Sequence, residues 1–386
     1  MSVSLPSFGY PRALYDPRYV PPILLHRTKE MNTIFNLFNS SLDLDESFNV
    51  NTYIYGIRGV GKTVFIRTVE ELLKSKIERT IIPIYFNLET KSPIENLRLL
   101  VEEYSNNIGK QFQFLKNAPE LWSYFQFLRK DDDTPLIILL DNVHTKNQLF
   151  YEKLIRYSND LHLSTIATSS ESLQMYKKQS KTITDQLNFD LQLDIYTPSA
   201  LLDIVVQRIS LAFPFCIDPD FSRFITDIVM KFDLYRPSTC IEILKSLHKN
   251  AVNGIDITSE LIRDASYHLV EFPYPNELDS LLIFDDSEID LFCLPLLQKI
   301  SYFFNRSQSV YISEKQLFTL YKISCDEIEI PYRQTHFQQI LDFFLDKSLL
   351  YCSHFPSNKN DRQFFLLTHP EFFLTYLETK FSENQG

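Results

Sequence analysis

The sequence predicts an α/β protein: a parallel, doubly wound sheet carrying a glycine-rich loop, then a run of helices, then a small domain of helices and a hairpin. Three observations carry this reading. Gly56-Ile57-Arg58-Gly59-Val60-Gly61-Lys62-Thr63 reads G-x-x-x-x-G-K-[ST] and lies between a strand-like and a helix-like stretch. Ile81–Phe86 and Leu136–Leu140 are nearly continuous apolar runs, as expected of parallel strands covered by helices on both faces. From Pro198 onward the apolar spacing becomes helical.

Each element follows in order. A Pro- and Tyr-rich arm, Tyr10-Pro11 to Tyr19-Val20-Pro21-Pro22, leads to a helix over about Arg27–Phe38 with apolar Met31, Ile34, Phe35, Leu37 and Phe38. Strands are predicted at Tyr53–Tyr55, Ile81–Asn87, Leu136–Leu140, Ser164–Thr168 and Leu191–Ile195, alternating with helical stretches. Four helices follow at Ser199–Ala212, Pro219–Phe232, Pro237–Asn250 and Thr258–Phe272, with Thr197 and Thr258 as N-caps. An acidic connector, Glu277–Asp290, opens a third region of helices. That region closes on strand-like Leu349–His354 and Gln363–Thr368, joined by the polar loop Phe355–Arg362, and so predicts a winged helix. The expected division is residues 1–197, 198–275 and 276–386.

The glycine-rich loop carries the clearest chemistry. The chain has only 7 Gly in 386 residues, and Gly56, Gly59 and Gly61 are three of them. Glycines let the backbone curl so that its N–H groups face the phosphates of a nucleoside triphosphate, and the following helix adds its positive end. Lys62 neutralises phosphate charge, and the Thr63 hydroxyl holds Mg²⁺. Asp141, directly after Leu136–Leu140, is the carboxylate that orders the metal at the end of a second buried strand. The residue after it is Asn142, whose amide hydrogen-bonds water but is a very poor proton acceptor. Binding is therefore better supported than turnover, with His144 a possible rescue. Ser169, at the end of the neighbouring strand, is the first choice for sensing the terminal phosphate.

Composition bounds the rest. A content of 44% hydrophobic and 14% aromatic residues fills more than one core. No apolar run approaches membrane-spanning length, and the N-terminus lacks a signal pattern. Cys216, Cys240, Cys293, Cys325 and Cys352 are widely spaced without a C-x-x-C, which argues against a zinc site or a disulfide framework and fits a reducing compartment. The net charge of −11 weighs against strong non-specific binding to nucleic acid, without excluding a local basic face.

At this point the chain resembles the AAA+ replication initiators of archaea and eukaryotes, the origin recognition complex proteins and their cell-division-control relative. The resemblance runs from about Tyr19 to Leu377. Tyr19-Val20-Pro21 with His26-Arg27-Thr28-Lys29-Glu30-Met31 is similar to the family's entry motif, which packs on the adenine. Leu193–Arg208 is similar to the junction into its helical lid, and Ile257–Ala265 to the lid's last helix. Leu294–Lys299 and Leu317–Lys322 resemble the start of its winged helix. The resemblance implies an ATP-binding base domain, a lid and a DNA-binding winged helix. It implies ATP or ADP with Mg²⁺ as ligands, held by Val20, Pro21, Arg27 and Gly56 to Thr63 with Asp141. It also implies duplex origin DNA, other initiator subunits and the replicative helicase as partners. The compact length favours an archaeal-type cytoplasmic protein over a nuclear one. Two departures matter: Asn142 stands where the family has Glu, and an ungapped reading puts Ser238 at the lid's arginine sensor, with Arg236 the alternative. Lys177, Lys178 and Lys181 are the only cations near the expected arginine finger.

The recognition helix is expected at Tyr332–Asp346. Phe337, Ile340, Leu341, Phe343 and Phe344 face its core, which leaves Arg333, Gln334, His336, Gln338 and Gln339 outward. Asn358, Lys359, Asn360 and Arg362 at the hairpin tip suit phosphate contact. From Glu277 to the end the chain has 9 Lys and Arg against 16 Asp and Glu, most of the acids lying outside Tyr332–Lys359. Two other readings stay open: a regulatory P-loop switch whose winged helix binds protein, and a non-catalytic partner subunit of an initiator assembly.

Overall fold

The computed structural model describes residues 11–43, 49–76, 81–89, 91–112, 114–130, 132–144, 147–175, 186–270, 287–355 and 361–383. Two compact units emerge. One comprises Asp16–Ala200 with Arg236–Ser238; the other comprises the chain up to Tyr15, Leu201–Tyr235 and Thr239 onward.

The first unit is built on five parallel strands: β1 (Asn51–Tyr55), β2 (Ile82–Asn87), β3 (Leu136–Asp141), β4 (Leu163–Ser169) and β5 (Phe189–Gln192). Their order across the sheet is β2-β3-β4-β1-β5. Every residue of β3 and β4 is buried, because both strands are interior and covered on both faces. Hydroxyls are tolerated in β4 because they are bonded: Ser164 Oγ accepts from Val50 N at 3.0 Å, and Thr165 Oγ1 donates to Asn51 Oδ1 at 2.8 Å. β5 lies two residues earlier than the apolar run suggests. Its ladder with β1 runs from Thr52↔Phe189 to Tyr55↔Gln192, and β1 ends where the loop at Gly56 begins.

Helices α2 (Thr28–Asp43), α3 (Lys62–Lys76), α4 (Pro93–Asn107), α5 (Ala118–Lys130) and α6 (Gln148–Arg156) belong to this unit. α4 starts on a capping box between Ser92 and Glu95, with Pro93 at its first position. With α5 it buries Leu97, Leu100, Tyr104, Leu121 and Phe125 in one core with Ile84 and Ile138.

The second unit gathers α1 (Arg12–Tyr15), most of α7 (Pro198–Ala212), α8 (Pro219–Phe232), most of α9 (Pro237–Val252), α10 (Ser259–Tyr267), α11 (Ser287–Ser307), α12 (Glu314–Glu327), α13 (Gln334–Asp346) and α14 (Pro370–Glu383). Thr258 caps α10 by accepting from Leu261 N at 3.2 Å, as its position predicts. The arm differs from expectation. Its first helix packs with the lid helices: Arg208 donates to Ala13 O at 3.0 Å, and Tyr15 donates to Lys245 O at 3.1 Å.

The winged-helix region holds a three-stranded antiparallel sheet, β6 (Ile312–Ser313), β8 (Gln363–Phe365) and β7 (Tyr351–Cys352), in that order. The hairpin is shorter than its apolar runs, β6 is an addition, and the chain does not end on the hairpin but continues into α14. The acidic connector lies mostly outside the described residues, its last part opening α11. Lid and wing share one buried carboxylate. Asp227 of α8 accepts from Tyr311 OH at 2.8 Å, Ser353 Oγ at 2.6 Å, His354 N at 3.0 Å and His354 Nδ1 at 3.1 Å. Among the described residues no helix is long and apolar enough to cross a membrane.

Candidate nucleotide and DNA sites

The loop after β1 has the curled backbone its glycines predict. Gly59 and Gly61 adopt φ of +85° and +100°, torsions that side chains other than glycine strain to reach. Phe65 N then bonds Gly61 O at 2.9 Å as α3 begins. Lys62 is buried, its Nζ donating to Gly56 O at 2.7 Å and Ile57 O at 2.8 Å. Burial pulls its ammonium down to about 8, with Asp141 opposing and Arg58 assisting. Thr63, the next residue, is half-buried; Arg58 is exposed, Ile57 half-buried and Val60 buried.

Asp141 ends β3 wholly buried. Its Oδ1 accepts from Thr168 Oγ1 at 2.5 Å and its Oδ2 from Tyr85 OH at 3.0 Å. Asn142 follows in the left-handed region at φ +62°, a torsion asparagine tolerates better than most residues. Its Nδ2 donates to Asn87 Oδ1 at 3.3 Å, so two amides pair beside the carboxylate. Asn147 fixes this corner by donating to Asn142 O at 3.1 Å and Leu88 O at 3.2 Å. His144 is drawn into the same turn, its backbone N–H donating to Asn147 Oδ1 at 2.9 Å and its Nε2 lying 3.4 Å from Asn147 Nδ2.

The hydroxyl beside Asp141 is Thr168's, not Ser169's. Ser169 Oγ accepts from Glu171 N at 3.0 Å in the turn after β4. Strand alternation separates the two: successive side chains point to opposite faces, and the register pairs Leu140 with Ala167. Thr168 stands in the same Thr168-Ser169-Ser170 stretch the sequence singles out, but only the register selects it over Ser169.

Arg27, in the entry motif, is tied to the junction after β5. It is buried, and its guanidinium donates to Tyr196 OH at 3.1 Å, Glu30 Oε1 at 3.0 Å and Asp194 O at 2.5 Å. Arg27 therefore braces the wall beside the loop. Tyr196, read from the sequence only as part of the junction into the lid, also reaches the loop: its hydroxyl lies 3.7 Å from where a methyl on Gly61 would sit. Val20 is half-buried and Pro21 buried.

Arg236 comes to the loop. The chain enters it through Leu234 and Tyr235, both left-handed at φ +51° and +60°. A methyl on Gly59 would meet Arg236 Cδ at 3.2 Å and would collide with Ser238 Oγ. Both candidates for the lid sensor thus sit against the same glycine. Lys177, Lys178 and Lys181 lie outside the described residues.

In the winged helix, Arg333 caps α13 and is exposed with Gln334 and Gln339. The other outward assignments change. His336 turns inward, its Nδ1 2.9 Å from Tyr321 OH and its ring edge-on to Phe292 at 4.7 Å. Gln338 and Arg362 are held by Glu314, at the start of α12. Arg362 Nε and Nη2 donate to the two Glu314 oxygens at 2.8 and 3.1 Å, and Gln338 Nε2 donates to Oε1 at 3.0 Å. Periodicity marks the polar face of a helix but cannot announce that an acid from another element occupies it. Asn358, Lys359 and Asn360 lie outside the described residues.

No family model matches the chain. Among curated proteins, the ORC1-type DNA replication protein 1 of Sulfurisphaera tokodaii is 25% identical over 265 residues, 64% of this chain and 59% of that protein. The ORC1-type DNA replication protein of Thermococcus kodakarensis is 22% identical over 339 residues, 81% of this chain and 76% of that one. The chain thus spans less than two thirds of the first relative's length. Among solved structures, Cdc6p from Pyrobaculum aerophilum superposes with a TM-score of 0.75 at 19% identity, covering 96% of this chain and 98% of that one. The Aeropyrum pernix ORC1 protein, solved in complex with DNA, gives 0.56 at 18% identity over 95% and 96% of the two chains. The chain has the fold of these two structures, a P-loop α/β domain followed by helices and a winged helix, and the resemblance read from the sequence recurs in these relatives.

Proposed function

We propose that this relative of the ORC1-type and Cdc6 proteins is an ATP-binding replication initiator. It binds duplex origin DNA through its AAA+ and winged-helix domains and promotes loading of the replicative helicase together with other initiator subunits, hydrolysing ATP weakly or not at all. Its place of action would be the nucleoid of an archaeal-type cell. The observation that carries the reading is the curled loop with Lys62, Asp141 at the facing strand end, and the Asn87–Asn142 amide pair where a carboxylate base would be needed.

The residues present fit a triphosphate. Both positive-φ glycines bend the loop, and a methyl on Gly61 would meet nothing nearer than Tyr196 OH. Loop amides from Gly56 to Thr63 and the Lys62 ammonium would hold the phosphates, Thr63 and Asp141 the Mg²⁺, and Arg236 the terminal phosphate from the lid. The bound metal nucleotide would supply the charge that these residues are placed to meet. Asn142 would order a water without taking its proton. Arg333, Gln334 and Gln339 would meet base edges and the hairpin tip the phosphates. The Glu314 clasp on Arg362 and Gln338 favours a second reading, a winged helix that binds protein.

Fluorescence anisotropy on labelled duplex fragments, with ATP, ADP or no nucleotide across a salt series, tests the proposal, and footprinting then locates the site. ATP-strengthened, salt-sensitive binding lost in Lys62→Ala is the expected result. Salt-independent or absent duplex binding beside tight nucleotide binding would transfer the case to the protein-binding reading.

A further inference from the structure

Asp141 is wholly buried, and among the described residues neither of its oxygens forms an ion pair, Lys62 acting on it only through space. Thr168 Oγ1 receives Asn142 N–H at 3.2 Å, so its single proton is directed to Asp141 Oδ1 at 2.5 Å. Tyr85 OH serves Oδ2 from the opposite side at 3.0 Å. Two donors on opposite oxygens stop rotation of the carboxylate and leave lone pairs on both.

Behind Tyr85 stands Arg67, one helical turn beyond Thr63 on α3. Its guanidinium lies 3.2 Å from the centre of the Tyr85 ring, and its Nη1 pairs with Glu70 Oε2 at 3.1 Å. A direct arginine–carboxylate pair would occupy the lone pairs a metal needs. The neutral phenol between them orients Asp141 without discharging it.

We propose that Tyr85 is a positioning residue for Asp141, locked by Arg67, and that it sets how strongly this site prefers metal-bound over metal-free nucleotide. The inference rests on the nucleotide reading above. Partners that orient a metal-binding carboxylate are typically worth about 10–100-fold in metal affinity.

The test measures the affinity of a fluorescent ADP for the full chain in excess Mg²⁺ and in EDTA. Tyr85→Phe should lose about 10–100-fold in Mg²⁺ and less than about twofold in EDTA. Thr168→Val, similar in shape but lacking the hydroxyl, should show the same metal-selective loss, which keeps the test decisive if one variant folds poorly. Arg67→Lys keeps the charge but loses the flat stacking surface, and should lose less with the same selectivity. Equal losses with and without metal, or none in either, would overturn the proposal while metal-sensitive binding by the wild type left the nucleotide reading intact. A wild type that bound no nucleotide in either buffer would remove both.

Discussion

Lys62 shows what burying a cation does in this loop. Its ammonium is held down to about 8, against an ordinary 10.5, chiefly by loss of water. A lowered lysine value penalises the charged native form, so the free protein bears a cost below about pH 8 that is released as pH rises toward the unfolded value. Nucleotide affinity should run the other way, falling by up to about tenfold per pH unit above that point as the phosphate partner loses its proton. Denaturation and ligand titrations between pH 7 and 10 should therefore show opposite slopes, and Lys62→Arg should flatten both. At Gly59, alanine would have to hold φ +85° and displace Ser238 Oγ. Gly59→Ala should cost about 1–3 kcal/mol in denaturant, and Ser238→Gly should recover only the steric part. This loop was legible because its chemistry is local in sequence. The partners of Tyr85, Thr168 and Tyr196 were not, because each is reached through a strand register or a loop closure far along the chain.

At the scale of elements, α13 repeats that lesson. Its apolar spacing marked the buried Phe337, Ile340, Leu341 and Phe344 correctly, but of the five side chains read as outward only Arg333, Gln334 and Gln339 are exposed, while His336 and Gln338 are half-buried. Under the DNA reading, Arg333→Ala should weaken duplex binding by about 1–3 kcal/mol if it meets a base edge, or lower the salt slope by about one if it meets a phosphate. His336→Ala should instead lower stability and leave the salt slope unchanged. Glu314→Gln releases Arg362 from a bidentate partner. It should tighten duplex binding and steepen the slope of log K against log salt by about 0.9. The hairpin came out short because β7 and β8 pair only from Tyr351↔Phe365 to Cys352↔Phe364. α14 was overlooked because strand-like Gln363–Thr368 gave no hint that the chain would turn back into the core through Phe373 and Leu377.

For the whole molecule, composition forecast several cores and a net charge of −11. An acidic chain that binds duplex should do so through few phosphate contacts, so its salt slope should be much shallower than the value of about −10 that many phosphate contacts give. The alternation of strands and helices announced the sheet, since parallel strands need covered, continuous apolar runs. It could not announce how the later helices would group, because that depends on contacts between residues far apart. Asp227 is such a contact, and it governs how the chain can be dissected. Asp227→Ala leaves the Tyr311 and Ser353 hydroxyls unmatched in a buried setting and should cost about 3 kcal/mol or more in chemical denaturation. A C-terminal piece severed at residue 276 would suffer the same loss without any substitution. Mild protease digestion is thus expected to yield a resistant fragment that keeps Asp227 together with the wing, and amide-exchange protection at His354 should vanish when α8 is cut away.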